Sequence, residues 1–182
     1  MNQIEYIQAG MIEHAALGDV VSQGVIYRQF AKPMFNICLR MTGNKQLAED
    51  VLHDSFIIAF KELRTLKDAS KFPGWLKKIV VRQSIKGINK SRYLDSVSDN
   101  LEIMNEQNCD DWIRGISFEK INEAITMLPE GCRQVFNLYA VENWSHKEVS
   151  EEIGISESTS KSQYQRARKL LQQMLLKEIE NG

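Results

Sequence analysis

The chain has 182 residues, 43% of them hydrophobic and 26% charged, with three cysteines and a formal net charge of −1. It is too long for a disulfide-stapled mini-domain and too apolar for a disordered tail. Cys38, Cys109 and Cys132 show no CxxC spacing, which points to thiols held in a reducing compartment, and the near-zero charge argues at first sight against nucleic acid.

Met1 to Gly10 lacks a basic stretch followed by an apolar one, so no signal peptide is expected. No apolar run approaches the roughly 18–20 residues that span a bilayer. The reading is a cytoplasmic protein with no membrane insertion. Periodicity is helical almost everywhere, and hairpin turn dipeptides are absent. Helices are predicted at 4–16, 19–41, 45–66, 72–92, 117–128, 130–141, 146–153 and 157–178. Pro33, Pro73 and Pro129 are each read as lying near a helix start.

In the third predicted helix, Ala48, Leu52, Phe56, Ala59 and Leu63 form one apolar arc, which should face a core. Asp50, His53, Asp54, Ile57 and Lys61 line the opposite side. An isoleucine inside a charged stripe fits a partner surface with an apolar centre and polar rim. A solvated face carrying one exposed Ile fits it too. His53 and Asp54 raise the idea of a metal centre. Only His14 and His146 remain as histidines, each without a ligand-spaced neighbour, so neither metal nor cofactor is expected.

The segment from Lys61 to Arg92 carries ten basic residues against Glu62 and Asp68. Pro73 and Gly74 mark a loop entering a helix, and Lys71, Lys78 and Arg82 lie near one another on it. Cations beside the rings of Phe72 and Trp75 suit single-stranded nucleic acid, which needs phosphate neutralisation and stacking platforms. Core packing accounts for either ring equally well. From Asp95 to Asp111 the sign reverses, with six acidic residues and no Lys or Arg. That stretch reads as an acidic linker.

Ser145 and Glu148 form a capping-box pair ahead of a helix that stops at Gly154. Ile155 and Ser156 complete a short turn, and Ser156 caps a longer helix. This is the helix-turn-helix pattern, which also occurs as a generic helical corner. On the second helix, Tyr164, Ala167, Leu170, Leu171 and Met174 share one face. Ser158, Lys161, Ser162, Gln165 and Lys169 share the other, with Arg166 and Arg168 on its flanks. Side chains of this kind can hold phosphate and read base edges in a major groove.

These pieces, in this order, resemble a bacterial RNA polymerase sigma factor of the extracytoplasmic-function subfamily. The resemblance covers residues 18–176. It rests on Gly18-Asp19, Leu39 through Gly43, Ala48 through Phe56, Phe72-Pro73-Gly74-Trp75-Leu76 with Ile79, Leu128-Pro129, and Lys161-Ser162 through Arg166-Ala167-Arg168. It implies an all-α protein of two helical domains joined by an acidic linker. Residues 1–92 would form sigma region 2, residues 93–116 the linker, and residues 117–182 sigma region 4 with the helix-turn-helix. It implies that Asp50, His53, Asp54 and Ile57 bind core RNA polymerase. Ser70, Lys71, Phe72, Trp75, Lys78 and Arg82 would melt and capture the minus-ten element of promoter DNA. Ser158, Lys161, Ser162, Gln165, Arg166 and Lys169 would read the minus-thirty-five element. No catalysis by the chain is implied, and an anti-sigma factor is a common further partner in the family.

The sequence departs from the family pattern at four places. Arg82 stands where Asn is common, Ser160 where an apolar residue is usual, Ser150 where Ala is common and Gln163 where Arg is frequent. Promoter preference therefore does not carry over. The alternative reading is a helix-turn-helix regulator that acts on duplex DNA without polymerase.

Overall fold

The computed structural model describes residues 9–94 and 117–180, with side chains at 10–91 and 117–176. Every regular element among them is helical. The chain forms two compact units, Met1–Leu39 with Asn44–Asn89, and Arg40–Gly43 with Lys90–Gly182. The expected linker lies outside the described residues from position 95 onward.

The first unit is built from α1 (Ala9–Ala16), most of α2 (Val20–Thr42), α3 (Lys45–Glu62) and most of α4 (Phe72–Leu94), with 3-10 turns at Leu63–Thr65 and Ala69–Lys71 between the last two. Asp19 accepts hydrogen bonds from the backbone N–H and the hydroxyl of Ser22, and Asn44 accepts one from the Leu47 N–H at 3.0 Å. Each satisfies an otherwise orphaned donor at a helix start. Pro33 corrects an expectation: it sits inside α2 and starts nothing. A mid-helix proline costs about 3 kcal/mol. The helix persists because Phe30, Met34 and Ile37 around it are all buried.

The apolar arc of α3 behaves as its period demands. Ala48, Leu52, Phe56, Ala59 and Leu63 are all buried. From α4, Phe72, Leu76, Val80, Val81, Ile85 and Ile88 face the same interior. The buried hydroxyls of Ser55 and Ser84 donate to the carbonyls of Val51 and Val80 at 2.6 and 2.9 Å, so neither interrupts the core. α3 and α4 approach closely at Gly87. A Cβ there would lie 2.9 Å from Cγ2 of Val51 and 3.4 Å from Cδ1 of Leu47. Gly87→Val is therefore expected to cost about 1–3 kcal/mol by overpacking. A lowered thermal unfolding midpoint checks this.

The second unit holds α5 (Phe118–Thr126), α6 (Glu130–Phe136), α7 (His146–Ile153) and α8 (Glu157–Glu180). The helix expected at 130–141 ends differently. Its last five residues, Asn137–Val141, form a π turn, closed by the Glu142 N–H donating to the Asn137 carbonyl at 2.9 Å. Ala124, Ile125, Leu128, Cys132, Ala167, Leu171 and Leu175 form the core of this unit. Cys132 donates to Oε1 of buried Gln163 at 2.9 Å, tying α6 to α8. Among the described residues, no helix is long and apolar enough to cross a membrane.

Candidate functional site

Three surfaces carry the residues singled out by the sequence. On α3, Asp50, His53, Asp54 and Ile57 are all exposed, and Ile57 keeps half of its surface in solvent. His53 is braced from behind. Its Nδ1 lies 3.2 Å from the Glu49 carbonyl, and its ring centroid is 6.3 Å from that of Tyr27. Tyr27 in turn packs edge-on against Phe56 at 4.7 Å. The polar rim is thus seated on a packed aromatic base, with an apolar centre between charges.

On α4 the structure separates residues that the sequence had grouped. Lys71, Lys78 and Arg82 are exposed and Trp75 is half-buried. Lys71 closes the 3-10 turn just before α4, Trp75, Lys78 and Arg82 fall along one side of the helix, and exposed Lys86 extends the row by another turn. α4 contains no acidic residue. Phe72 is a correction. It is fully buried, edge-on to Phe30 at 5.3 Å and 6.0 Å from the Trp75 ring. It cannot touch a nucleic-acid base without leaving the core, so it anchors the helix start and supports Trp75. Ser70 is exposed in the preceding 3-10 turn. Its hydroxyl and N–H both donate to Asp68 Oδ1, at 2.6 and 3.0 Å. These bonds hold the Asp68 carboxyl below its ordinary range, with a smaller contribution from Lys71, whose ammonium lies 3.7 Å from that carboxylate.

In the second unit the helix-turn-helix forms as expected. Ser145 and Glu148 make both halves of the capping box, and the bonds from Ser145 lower the Glu148 pKa. Gly154 takes the left-handed conformation (φ 73°, ψ 37°) that ends α7, a backbone geometry open to glycine at little steric cost. Ser156 then accepts from the Thr159 N–H at 3.0 Å, capping α8. Ser158, Lys161, Arg166 and Lys169 are exposed on α8, and Ser162 and Gln165 are half-exposed beside them. Lys161 reaches Glu157 at 2.9 Å on the surface. Ser162 donates to the Thr159 carbonyl at 3.0 Å, which leaves its oxygen able to accept.

The departures at 150, 160 and 163 also find structural roles. The Ser150 hydroxyl donates to the Lys147 carbonyl at 2.8 Å, and Gln163 is the buried partner of Cys132. Ser160 is fully buried, with its Oγ 2.9 Å from Nδ1 of His146. Sequence reasoning set His146 aside for want of a nearby ligand residue, because its partner stands fourteen positions away.

The first unit thus offers a cationic helix face with an aromatic ring, the second a capped helix-turn-helix. That combination is of the kind that nucleic-acid-binding proteins use. Residues 26–93 match the family Sigma-70 region 2, and residues 118–171 match Sigma-70, region 4. The ECF RNA polymerase sigma factor SigM of Bacillus subtilis (strain 168) is 30% identical over 151 residues, covering 80% of this chain and 90% of that protein. SigW of the same organism is 28% identical over 185 residues, covering 95% of each. In fold, the chain is similar to the sigma factor RpoE from Bartonella quintana, solved in complex with the anti-sigma factor NepR. The two share 19% identity with a TM-score of 0.50, over 84% of this chain and 95% of that one.

The chain belongs to the extracytoplasmic-function RNA polymerase sigma factors. It binds core RNA polymerase and directs promoter-specific transcription initiation. A regulator acting on duplex DNA alone would leave the region 2 match without a purpose.

Proposed function

We propose that the work of initiation is divided among three helix faces of this chain. The face of α3 bearing Asp50, His53, Asp54 and Ile57 docks on core polymerase. The row of Trp75, Lys78 and Arg82 on α4, with Ser70 and Lys71 in the turn before it, holds the unstacked strand of the minus-ten element. Lys86, one turn on, continues the phosphate track. The face of α8 with Ser158, Lys161, Ser162, Gln165, Arg166 and Lys169 reads the minus-thirty-five element as duplex. Residues 1–92 and 117–182 act as the two DNA-facing domains, and the acidic stretch at 93–116 connects them. The chain itself catalyses nothing, and it works in the cytoplasm. An anti-sigma factor is a further partner, as for the related RpoE solved with NepR.

One observation carries this reading: an exposed row of cations around Trp75 on a helix with no acidic residue. A merely solvated helix face usually mixes signs, whereas strand capture needs cations and a ring together. For the duplex-reading face, the expected result concerns salt. Lys161→Ala and Arg166→Ala should each weaken binding of the holoenzyme to a promoter duplex. Each should also lower the slope of log affinity against log salt by about one. Slopes equal to wild type would place neither cation on a phosphate.

A further inference from the structure

His146 joins three elements of the second unit. It is the first residue of α7. Its ring stacks on Tyr139 of the π turn, with centroids 4.0 Å apart and planes 9° from parallel. Its Nδ1 meets the buried hydroxyl of Ser160 in the first turn of α8. Tyr164, one turn further along α8, lies 4.6 Å from Tyr139 and 5.9 Å from His146. Ser160 stands between Ser158 and Lys161, so whatever holds Ser160 also sets where those side chains emerge.

We infer that His146 is a positioning residue for duplex reading: its neutral ring clamps the first turns of α8 to the π turn, and protonation of that ring loosens the clamp. The inference rests on the reading of α8 as the duplex-reading helix. Without His146, the Ser160 hydroxyl loses its partner on α7 and can turn back only onto its own helix, as Ser55 and Ser84 do, which leaves the start of α8 untied from α7 and the π turn. A shift of about 1 Å is enough to spoil base-edge contacts. The α7 face of the joint supplies the positive end of that helix's dipole, since His146 sits at its first position, and Lys147 follows it. The α8 face supplies Lys161, Glu157 and Arg168. Glu157 is already held by Lys161 at 2.9 Å, and Arg168 lies 5.9 Å over the Tyr164 ring. The π turn supplies only the Tyr139 ring. A second positive charge is unwelcome here. Burial first, then Lys161, hold the His146 pKa below its ordinary value against an opposing pull from Glu157. With a depressed folded-state pKa, the clamp is complete above the ordinary histidine value near 6.5 and is lost as pH falls through the lower folded value.

The test uses holoenzyme reconstituted from core polymerase and the full chain. The probe is a promoter duplex selected by that holoenzyme from a randomised library, set against a scrambled duplex at fixed ionic strength. At about pH 8, His146→Phe, which keeps a ring but no polar atom, should lose about tenfold in discrimination. Ser160→Ala should lose in the same direction with an unchanged melting temperature. His146→Asn, which can still meet the Ser160 hydroxyl, should recover to within about threefold of wild type. Wild type should weaken progressively as pH falls below the ordinary histidine value, and the Asn variant should show a flat profile over the same range. Wild-type discrimination in both His146→Phe and Ser160→Ala, with Lys161→Ala impaired, overturns the clamp. An Asn variant that keeps the wild-type pH profile overturns the protonation step. Wild-type discrimination in Lys161→Ala as well would mean that the reading of α8 itself has failed.

Discussion

Reversing both carboxylates of the exposed α3 face, with Asp50→Lys and Asp54→Lys together, is expected to weaken binding to core polymerase by at least about a hundredfold. Helix content and melting temperature should stay at wild-type values. The two results separate because the residues are exposed and lie on the side away from the buried arc of Ala48, Leu52, Phe56, Ala59 and Leu63. Exposed substitutions of this kind usually change stability by less than about 0.5 kcal/mol. Interface charges facing a complementary surface are worth far more, because the wrong sign both repels and leaves the partner's charge unpaired. Ile57, half in solvent, forms the apolar centre of the patch. Ile57→Asp should therefore act in the same direction without help from the carboxylates. Pull-down or fluorescence titration against core polymerase, beside circular dichroism, measures both halves. Unchanged binding would remove α3 from the interface.

The second large effect distinguishes Phe72 from Trp75, three residues apart. Phe72→Ala removes a fully buried ring packed edge-on to Phe30. It should cost about 3–5 kcal/mol. For a domain whose total stability is about 5–15 kcal/mol, that is a large share, so every activity of the first unit should fall together. Trp75→Ala should spare the fold far more, because the ring is half-buried. It should lower open-complex formation by about tenfold or more, with closed-complex binding nearly intact, since one stacked base is worth about 1–3 kcal/mol. The conservative Phe72→Leu should keep both stability and strand opening near wild type. A normal melting temperature with lost strand opening in Phe72→Leu would show that this ring meets DNA after all.

Phe72 also shows what the sequence could and could not reveal. It follows Lys71 in the chain and stands close to Trp75, Lys77 and Lys78, which drew it into the DNA-facing group. Its neighbours on the helix are Leu76 and Val80, one and two turns on, and both are buried. Helical spacing, weighed above chain proximity, would have placed it in the core. Where spacing and local chemistry agree, the reading was direct. The α3 arc and its opposite face follow from a period of 3.6. The helix-turn-helix follows from Ser145, Glu148, Gly154 and Ser156, each of which acts within four residues of itself. What stayed hidden depends on longer reach. Ser160 looks out of place until His146 arrives beside it from α7. The π turn at Asn137–Val141 comes from a hydrogen bond one residue longer than the helical one, and no residue pattern announces it. Pro33 shows the opposite imbalance, since a strong local breaker is overridden by burial on both sides.

The opening charge balance now has a physical meaning. The basic rows on α4 and α8 are offset in the total by the acidic residues between Asp95 and Asp111 and by those on α3. Net charge therefore said nothing about where a polyanion could bind, and its distribution along the helices said a great deal.

The most direct measurement is transcription in vitro from a promoter selected by the holoenzyme, using core polymerase with and without the chain. Run-off transcripts from one defined start should appear only when the chain is present, and should disappear with the Asp50→Lys, Asp54→Lys double variant. The same transcripts with and without the chain, or a double variant as active as wild type, would contradict the account.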